Sequence, residues 1–356
     1  MVSCVQPTKQ PTKNSNTYKK KIIFDTDSAF FNDDGAALVM LLQSHRFDIL
    51  GVTITAGNHW IPQGSVYMLY LLEVMKSGDI PVYLGETSPI KLKQNKINQL
   101  KSIRLLPGQK RKAFLSWTGA LSRKENQTLQ PPFGGKYATI QPKSENAVDF
   151  IIESVRANPG NITIVALGPM TNIAEAIKKA PDIENKIESL VFMGGAVEVP
   201  GNTTPYAEFN FWFDAPAANE VIQSMISNKI MFALDITNQA VLTKVEFARV
   251  VKVKTPITDI YNEDIGNRWP GFNKTPDTTS FVWDALVSAY LVDGSFITSS
   301  QTYYLKVNSK YNKFMGQVQY SKSPRVGYNK VMVMKSMDKS LFFDLYTHLL
   351  TQPIAH

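Results

Sequence analysis

Apolar positions in this chain gather in short continuous runs and do not alternate with polar ones. Residues 22–24, 49–55, 162–167, 190–193 and 230–234 form such runs. Their length and richness in Ile, Val and Phe mark strands buried on both faces. Segments with helical periodicity lie between the runs, at residues 35–43, 65–75, 147–157 and 172–179. Strands alternating with helices predict an α/β fold: an open, mostly parallel sheet flanked by helices, with a Rossmann-like core. Near the end of the chain, residues 303–307 and 314–320 flank a Lys/Asn turn and predict an antiparallel hairpin. A final helix is expected over about residues 339–350. There is no internal repeat, and no break in composition marks a second domain. The expected organisation is a single domain over residues 21–352. Residues 1–20 form a basic tail too poor in apolar side chains to fold, and are expected to be disordered.

Ligands of such sheets sit beyond the carboxyl ends of the strands, and the polar residues of this chain concentrate there. The first strand runs into Asp25, Asp27, Asp33 and Asp34, four carboxylates within ten residues, and then into an apolar helix. Crowded carboxylates raise one another's pKa and call for a cation between them. Oxygen-only donors suit a hard metal, Ca²⁺ or Mg²⁺. Helix capping accounts for Asp33 and Asp34, since acids favour a first helical turn. It gives no reason for Asp25 or Asp27.

Further strand ends carry Thr53-Ile54-Thr55-Ala56-Gly57-Asn58, Ala166-Leu167-Gly168-Pro169-Met170-Thr171-Asn172 and Met193-Gly194-Gly195. Gly168-Pro169 is expected to turn a main-chain carbonyl toward the acids. A loop follows with Asn202, Glu208 and Asn210 inside nine residues, groups suited to sugar hydroxyls. Trp283-Asp284 opens a late apolar helix, where Asp284 taken alone would be a helix cap.

Composition narrows the chemistry. One cysteine, Cys4, in 356 residues excludes a disulfide framework, thiolate zinc sites and a Cys nucleophile inside the domain. Four histidines, none at metal-ligand spacing, argue against a His-based transition-metal site. The formal charge of +8 is concentrated in residues 1–21 and in a basic stretch over residues 91–112. Neither has the aromatic interleaving or motif of a nucleic-acid binder, so no nucleic-acid partner is expected. No apolar run reaches the ~18 residues of a membrane span. Val2-Ser3-Cys4 resembles a bacterial lipoprotein cleavage site without its apolar leader. A cytoplasmic chain is the default expectation, and a periplasmic lipoprotein the alternative if the true start lies upstream.

Asp-Thr-Asp…Asp-Asp, Thr-Ala-Gly-Asn, Ala-Leu-Gly-Pro-Met-Thr-Asn, Met-Gly-Gly, Ala-Glu-Phe-Asn and the late Asp284, in this order, resemble the nucleoside hydrolase family. These are the calcium-dependent N-ribohydrolases of the inosine–uridine-preferring type. The match covers nearly everything from Lys21 to Leu350. It implies that Asp27, Asp34, the carbonyl of Thr171 and Asp284 hold Ca²⁺, with Asp27 also the general base. It further implies that Asp33, Asn202, Glu208 and Asn210 grip the ribose, that Asn58 lies at metal and ribose, that Met193 lines the substrate site, and that Asp25 supports from behind. A small-molecule nucleoside substrate, a role in nucleoside catabolism and a homo-oligomer, dimer or tetramer, follow from the same resemblance. Two departures stand out. Five residues, 28–32, separate Asp27 from Asp33 where the common form has three. Trp283 also stands where many members have a His that protonates the leaving base. Purine-selective members carry Trp there, which tilts the expected substrates toward purine nucleosides. The alternatives are a non-catalytic calcium-dependent nucleoside or ribose binder and a haloacid-dehalogenase-like phosphatase. The latter needs Thr or Val at residue 29, which is Ala.

Overall fold

The computed structural model describes residues 19–28, 30–87, 89, 128–132, 136–268, 270–275 and 277–354. The strands among them are β1 (Lys20–Thr26), β2 (Phe47–Ile54), β3 (Val82–Leu84), β4 (Lys143–Asn146), β5 (Ile162–Ala166), β6 (Ser189–Met193), β7 (Lys229–Phe232), β8 (Val241–Leu242), β9 (Ser280–Phe281), β10 (Ile297–Val307), β11 (Val318–Ser321) and β12 (Asn329–Met337). Ten of them form one sheet in the order β11-β10-β12-β7-β6-β5-β1-β2-β3-β4, and β8 pairs with β9 apart from it. From β4 across to β12 all neighbours are parallel, while β10 is antiparallel to both β12 and β11. The expected α/β architecture and hairpin are present.

Successive side chains of β1 serve opposite faces, as strand geometry requires. Ile22 and Phe24 join a core built with the helices Ala36–Ser44, Ile61–Val74, Ala285–Val292 and Lys339–Thr351. Ile23 joins a second core built with the helices Ala147–Ala157, Thr171–Lys179 and Ala215–Gln223. Helix Ala147–Ala157 has the sequence-predicted bounds because its ends are specified locally. The Asn146 side chain accepts from the Val148 N–H at 2.7 Å, Asp149 lies in the first turn and Arg156 in the last.

Three strands of the large sheet escape the hydrophobic pattern. β3, Val-Tyr-Leu, is only three residues long, too short to stand out as a run, and β4 is Lys-Ser-Glu-Asn at the sheet edge, with no apolar residue at all. β12 inserts between the hairpin and β7, separating strands that the sequence pattern leaves adjacent. Among the described residues no helix is long and apolar enough to cross a membrane. The expected tail and Cys4 (apart from residues 19 and 20), and the basic stretch 91–112, lie outside the described residues.

The connectivity creates one switch point. From β1 the chain steps through β2 and β3 to β4 on one side, then returns to place β5 on the other side of β1. The segments leaving the carboxyl ends of β1 and β5 therefore diverge, opening the crevice in which ligands of open α/β sheets bind.

Candidate active site

Four aspartates converge at that crevice. Asp27 follows the last residue of β1, whereas Asp33 and Asp34 lie on a five-residue π-helical turn, Phe31–Gly35, that runs into helix Ala36–Ser44. Asp284 sits at the N-cap of helix Ala285–Val292, yet its side chain makes no capping hydrogen bond. The carboxylate is committed elsewhere: Asp33, Asp34 and Asp284 each offer an oxygen, and these atoms lie within 4.8 Å of one another. All three residues are buried. The Thr26 hydroxyl donates to Asp34, and the Asp284 backbone N–H donates to Asp33.

Asp27 stands beside this trio and is fixed by the turn after β2. The Asn58 backbone N–H donates to its Oδ2 at 2.7 Å and the Asn58 amide to its Oδ1 at 3.3 Å. Two glycines make room for it. A Cβ at Gly57 would lie 2.0 Å from Asp27 Oδ2, and one at Gly168 would lie 2.9 Å from the Asp27 nitrogen. Gly168 is thus required for its lack of a side chain, since it does not adopt a left-handed conformation. The carbonyl just before it, of Leu167, accepts from Asn210 at 2.8 Å. Gly57→Ala should displace the Asp27 carboxylate and lower kcat at least as severely as loss of a general base, about 10²-fold or more. The check is a steady-state assay beside a circular dichroism spectrum showing an intact fold.

Burial and mutual repulsion shape the protonation of the cluster. Desolvation, then the Asp34 charge, pushes the Asp33 carboxyl up to about 7. The same two causes raise Asp27, and desolvation followed by Asp33 and Asp34 raises Asp284. Burial lifts Asp25 to about 7, although it accepts from Thr53 at 2.6 Å and Asn172 at 2.8 Å. These bonds tie β1 to β2 and to helix Thr171–Lys179 behind the cluster. The strongest charges acting on Asp27, Asp33 and Asp284 all belong to other carboxylates. A buried group of this kind could hold a hard cation. The donor set suits a hard cation such as Ca²⁺: Asp34 and Asp284, both expected as ligands, meet with Asp33, expected at the ribose, while Asp27 lies outside that trio.

The other expected residues have more structural employment than the sequence reveals. Thr171 opens its helix, and its hydroxyl donates to buried Asp214 at 2.8 Å. Glu208 caps the helix Phe209–Phe213: Oε1 accepts from the Asn210 N–H, and Oε2 from those of Gly195 and Phe211. With about four acceptor positions on a carboxylate, at most one is left for a ligand. Burial lifts this carboxyl to about 7. The Asn210 amide donates to the carbonyls of Leu167 and Met193, fixing Met193 at the end of β6. Asn202 Oδ1 accepts from the Phe209 N–H at 2.9 Å, while its Nδ2 is buried with no hydrogen-bond partner among the described residues. Trp283 stacks on Phe281 of β9, centroids 5.2 Å apart and planes at 16°, with its indole N–H likewise unpartnered. Sequence reasoning assigned no part to Thr26, Thr53, Asn172 or Asp214. Their signal is position alone, one residue from a named acid, on the strand paired with it, or across a fold contact.

Comparison with known proteins identifies the family and agrees with the fold. A family profile described as inosine-uridine preferring nucleoside hydrolase matches residues 22–344. The pyrimidine-specific ribonucleoside hydrolase RihB of Escherichia coli is 32% identical over 289 residues, 80% of this chain and 82% of that protein. A plant nucleoside hydrolase, the PpNRh1 enzyme, superposes with a TM-score of 0.76 at 25% identity, covering 94% of this chain and all of the other. The purine-preferring ribonucleoside hydrolase of Gardnerella vaginalis shares the fold, with a TM-score of 0.75 at 24% identity over 93% of this chain and 98% of its own. The carboxylate-lined switch point, the collinear motifs and these similarities make the chain a member of the inosine-uridine preferring nucleoside hydrolase family, whose enzymes are ribonucleoside hydrolases acting on N-glycosyl bonds.

Proposed function

We propose that this protein cleaves the N-glycosidic bond of purine ribonucleosides to free base and ribose, with Asp27 as general base and Ca²⁺ held by Asp27, Asp34, Asp284 and the Thr171 carbonyl. The observation that carries the proposal is the buried set of aspartates at the switch point, with other carboxylates as its strongest charged neighbours. Bound calcium would lower the pKa of a coordinated water and orient the ribose hydroxyls. Asp27, held by two bonds from Asn58, would take the proton of the attacking water. The sugar gains positive charge in the oxocarbenium-like transition state. Fixed negative groups around it, Asp33 and Glu208 included, favour that charge by preorganisation. Asp33, Asn202, Glu208 and Asn210 bind ribose, the buried Asn202 amide finding there the acceptor it lacks among the described residues.

The purine preference rests on Trp283. An indole already stacked on Phe281 offers a rigid platform for a base, and its N–H has no partner within the described chain. Named relatives point both ways, one pyrimidine-specific and one purine-preferring, so substrate must be tested directly. Reducing-sugar release should be measured from inosine, adenosine, guanosine, uridine and cytidine, with and without chelator. Aromatic stacking beyond area burial is worth ~0.5–1.5 kcal/mol, so purines should lead by about tenfold. Trp283→Ala should depress kcat/KM for inosine far more than for uridine. Uridine as the better wild-type substrate would refute the purine preference, and nucleoside binding without any sugar release would favour a non-catalytic binder.

A further inference from the structure

The five-residue spacer between Asp27 and Asp33 needs a structural solution, and the chain supplies one from a distant segment. Phe30 takes a left-handed conformation, φ +83°, which is strained for an aromatic residue. Its ring is held against Tyr67 and Tyr70, centroids 5.2 and 6.2 Å away. The next five residues form the π-helical turn, a conformation that concentrates at functional sites. The turn closes so tightly that a Cβ on Gly35 would lie 2.4 Å from the Phe30 carbonyl oxygen. At its start the Phe31 N–H donates to Oδ2 of Asp264 at 3.2 Å, 233 residues away in sequence. The Phe31 ring meets Tyr261 edge-on at 5.5 Å.

Asp264 is buried and belongs to a second π-helical turn, Asn262–Arg268, that packs against the first. That segment is itself cross-linked. Asn273 bonds the side chains of Asn262 and Asn267, and the Gly271 and Phe272 N–H groups donate to the Ile265 carbonyl. A rigid platform thus presents one carboxylate oxygen to the N–H two residues before Asp33.

We infer that Asp264 is a positioning residue for the metal-binding turn, fixing Asp33 and Asp34 through the Phe31 N–H. The inference rests on the calcium proposal for its effect on metal, but not for its effect on the turn. Groups behind metal ligands typically set affinity by 10–100-fold. Asp264→Ala should therefore raise the calcium dissociation constant, read by isothermal titration, by about tenfold or more. Asp264→Asn, which keeps an oxygen acceptor, should stay within a few-fold of wild type. Hydrogen exchange of residues 30–35 in the chelated protein gives a readout independent of metal. It should accelerate in Asp264→Ala and remain near wild type in Asp264→Asn. Tyr346→Phe removes the 3.2 Å bond between the Tyr346 and Tyr261 hydroxyls nearby and should lower Tm without moving either quantity. Unchanged exchange in Asp264→Ala, or equal acceleration in both Asp264 variants, overturns the inference. Wild-type protein that binds no calcium, with exchange behaving as stated, would defeat the metal proposal and leave the positioning role standing.

Discussion

Asp27→Asn should retain nucleoside binding and lose turnover by about 10²–10⁴-fold, the range expected for removal of a general base. The substitution keeps the size of the side chain and an acceptor for the Asn58 N–H, whose 2.7 Å bond fixes the position. What disappears is the capacity to accept a proton. Because Asp27 is also proposed as a metal ligand, kcat and calcium affinity should be measured together. A fall in kcat at saturating calcium and nucleoside, with KM changed only a few-fold, isolates the proton-transfer role. A variant that keeps more than about a tenth of wild-type kcat is incompatible with Asp27 as the base.

Calcium should stabilise the protein, and by more at higher pH. In the metal-free fold the carboxyls of Asp25, Asp33 and Glu208 sit at about 7, raised first of all by burial, while those of Asp27 and Asp284 are also raised. A carboxyl whose folded pKa exceeds its unfolded value binds its proton more tightly in the native state. Stability is then highest below the unfolded value near 4, falls as pH rises toward about 7, and levels off beyond it. Each such group costs at most about 1.4 kcal/mol per pH unit in that window. A bound cation compensates the carboxylate charges, so the Tm difference between calcium-loaded and chelated protein should widen from pH 5 to pH 7.5. Asp34→Asn should raise the Tm of chelated protein at pH 7.5 by relieving repulsion, and abolish both the calcium response and activity. A calcium effect on Tm that is constant or shrinking with pH would contradict this account, as would full activity after exhaustive chelation.

Much of the molecule was legible in the order of residues. Buried parallel strands announce themselves by apolar runs because both faces are covered. The local specification of helix Ala147–Ala157, an Asn cap with an acid in the first turn and a base in the last, fixed its ends without reference to the fold. The acid cluster after β1 pointed to a site for a hard cation on charge alone, while hydrolysis of nucleosides was indicated by the resemblance of the collinear motifs to a known family. The sequence was silent where signals are weak: edge strand β4 is wholly polar, and β12 is placed by its pairing with β7 and β10 and not by its composition.

The tertiary structure alone decided how these groups are used. Local sequence offers Asp33 and Asp34 a helix-capping role, yet packing joins both to Asp284, 250 residues on, and hands Asp27 to Asn58. Asp284 stands at a helix start where a capping role is the local expectation, but its side chain makes no cap bond because the cluster lies within reach. Glu208, open in sequence to any ligand, is largely committed to backbone N–H groups. The long spacer after Asp27 resolves into a left-handed Phe30 and a π-helical turn bonded to Asp264. Sequence determines which donors and acceptors exist and which elements carry them. Which pairs meet depends on contacts between residues hundreds of positions apart, and those are set by how the sheet orders its strands.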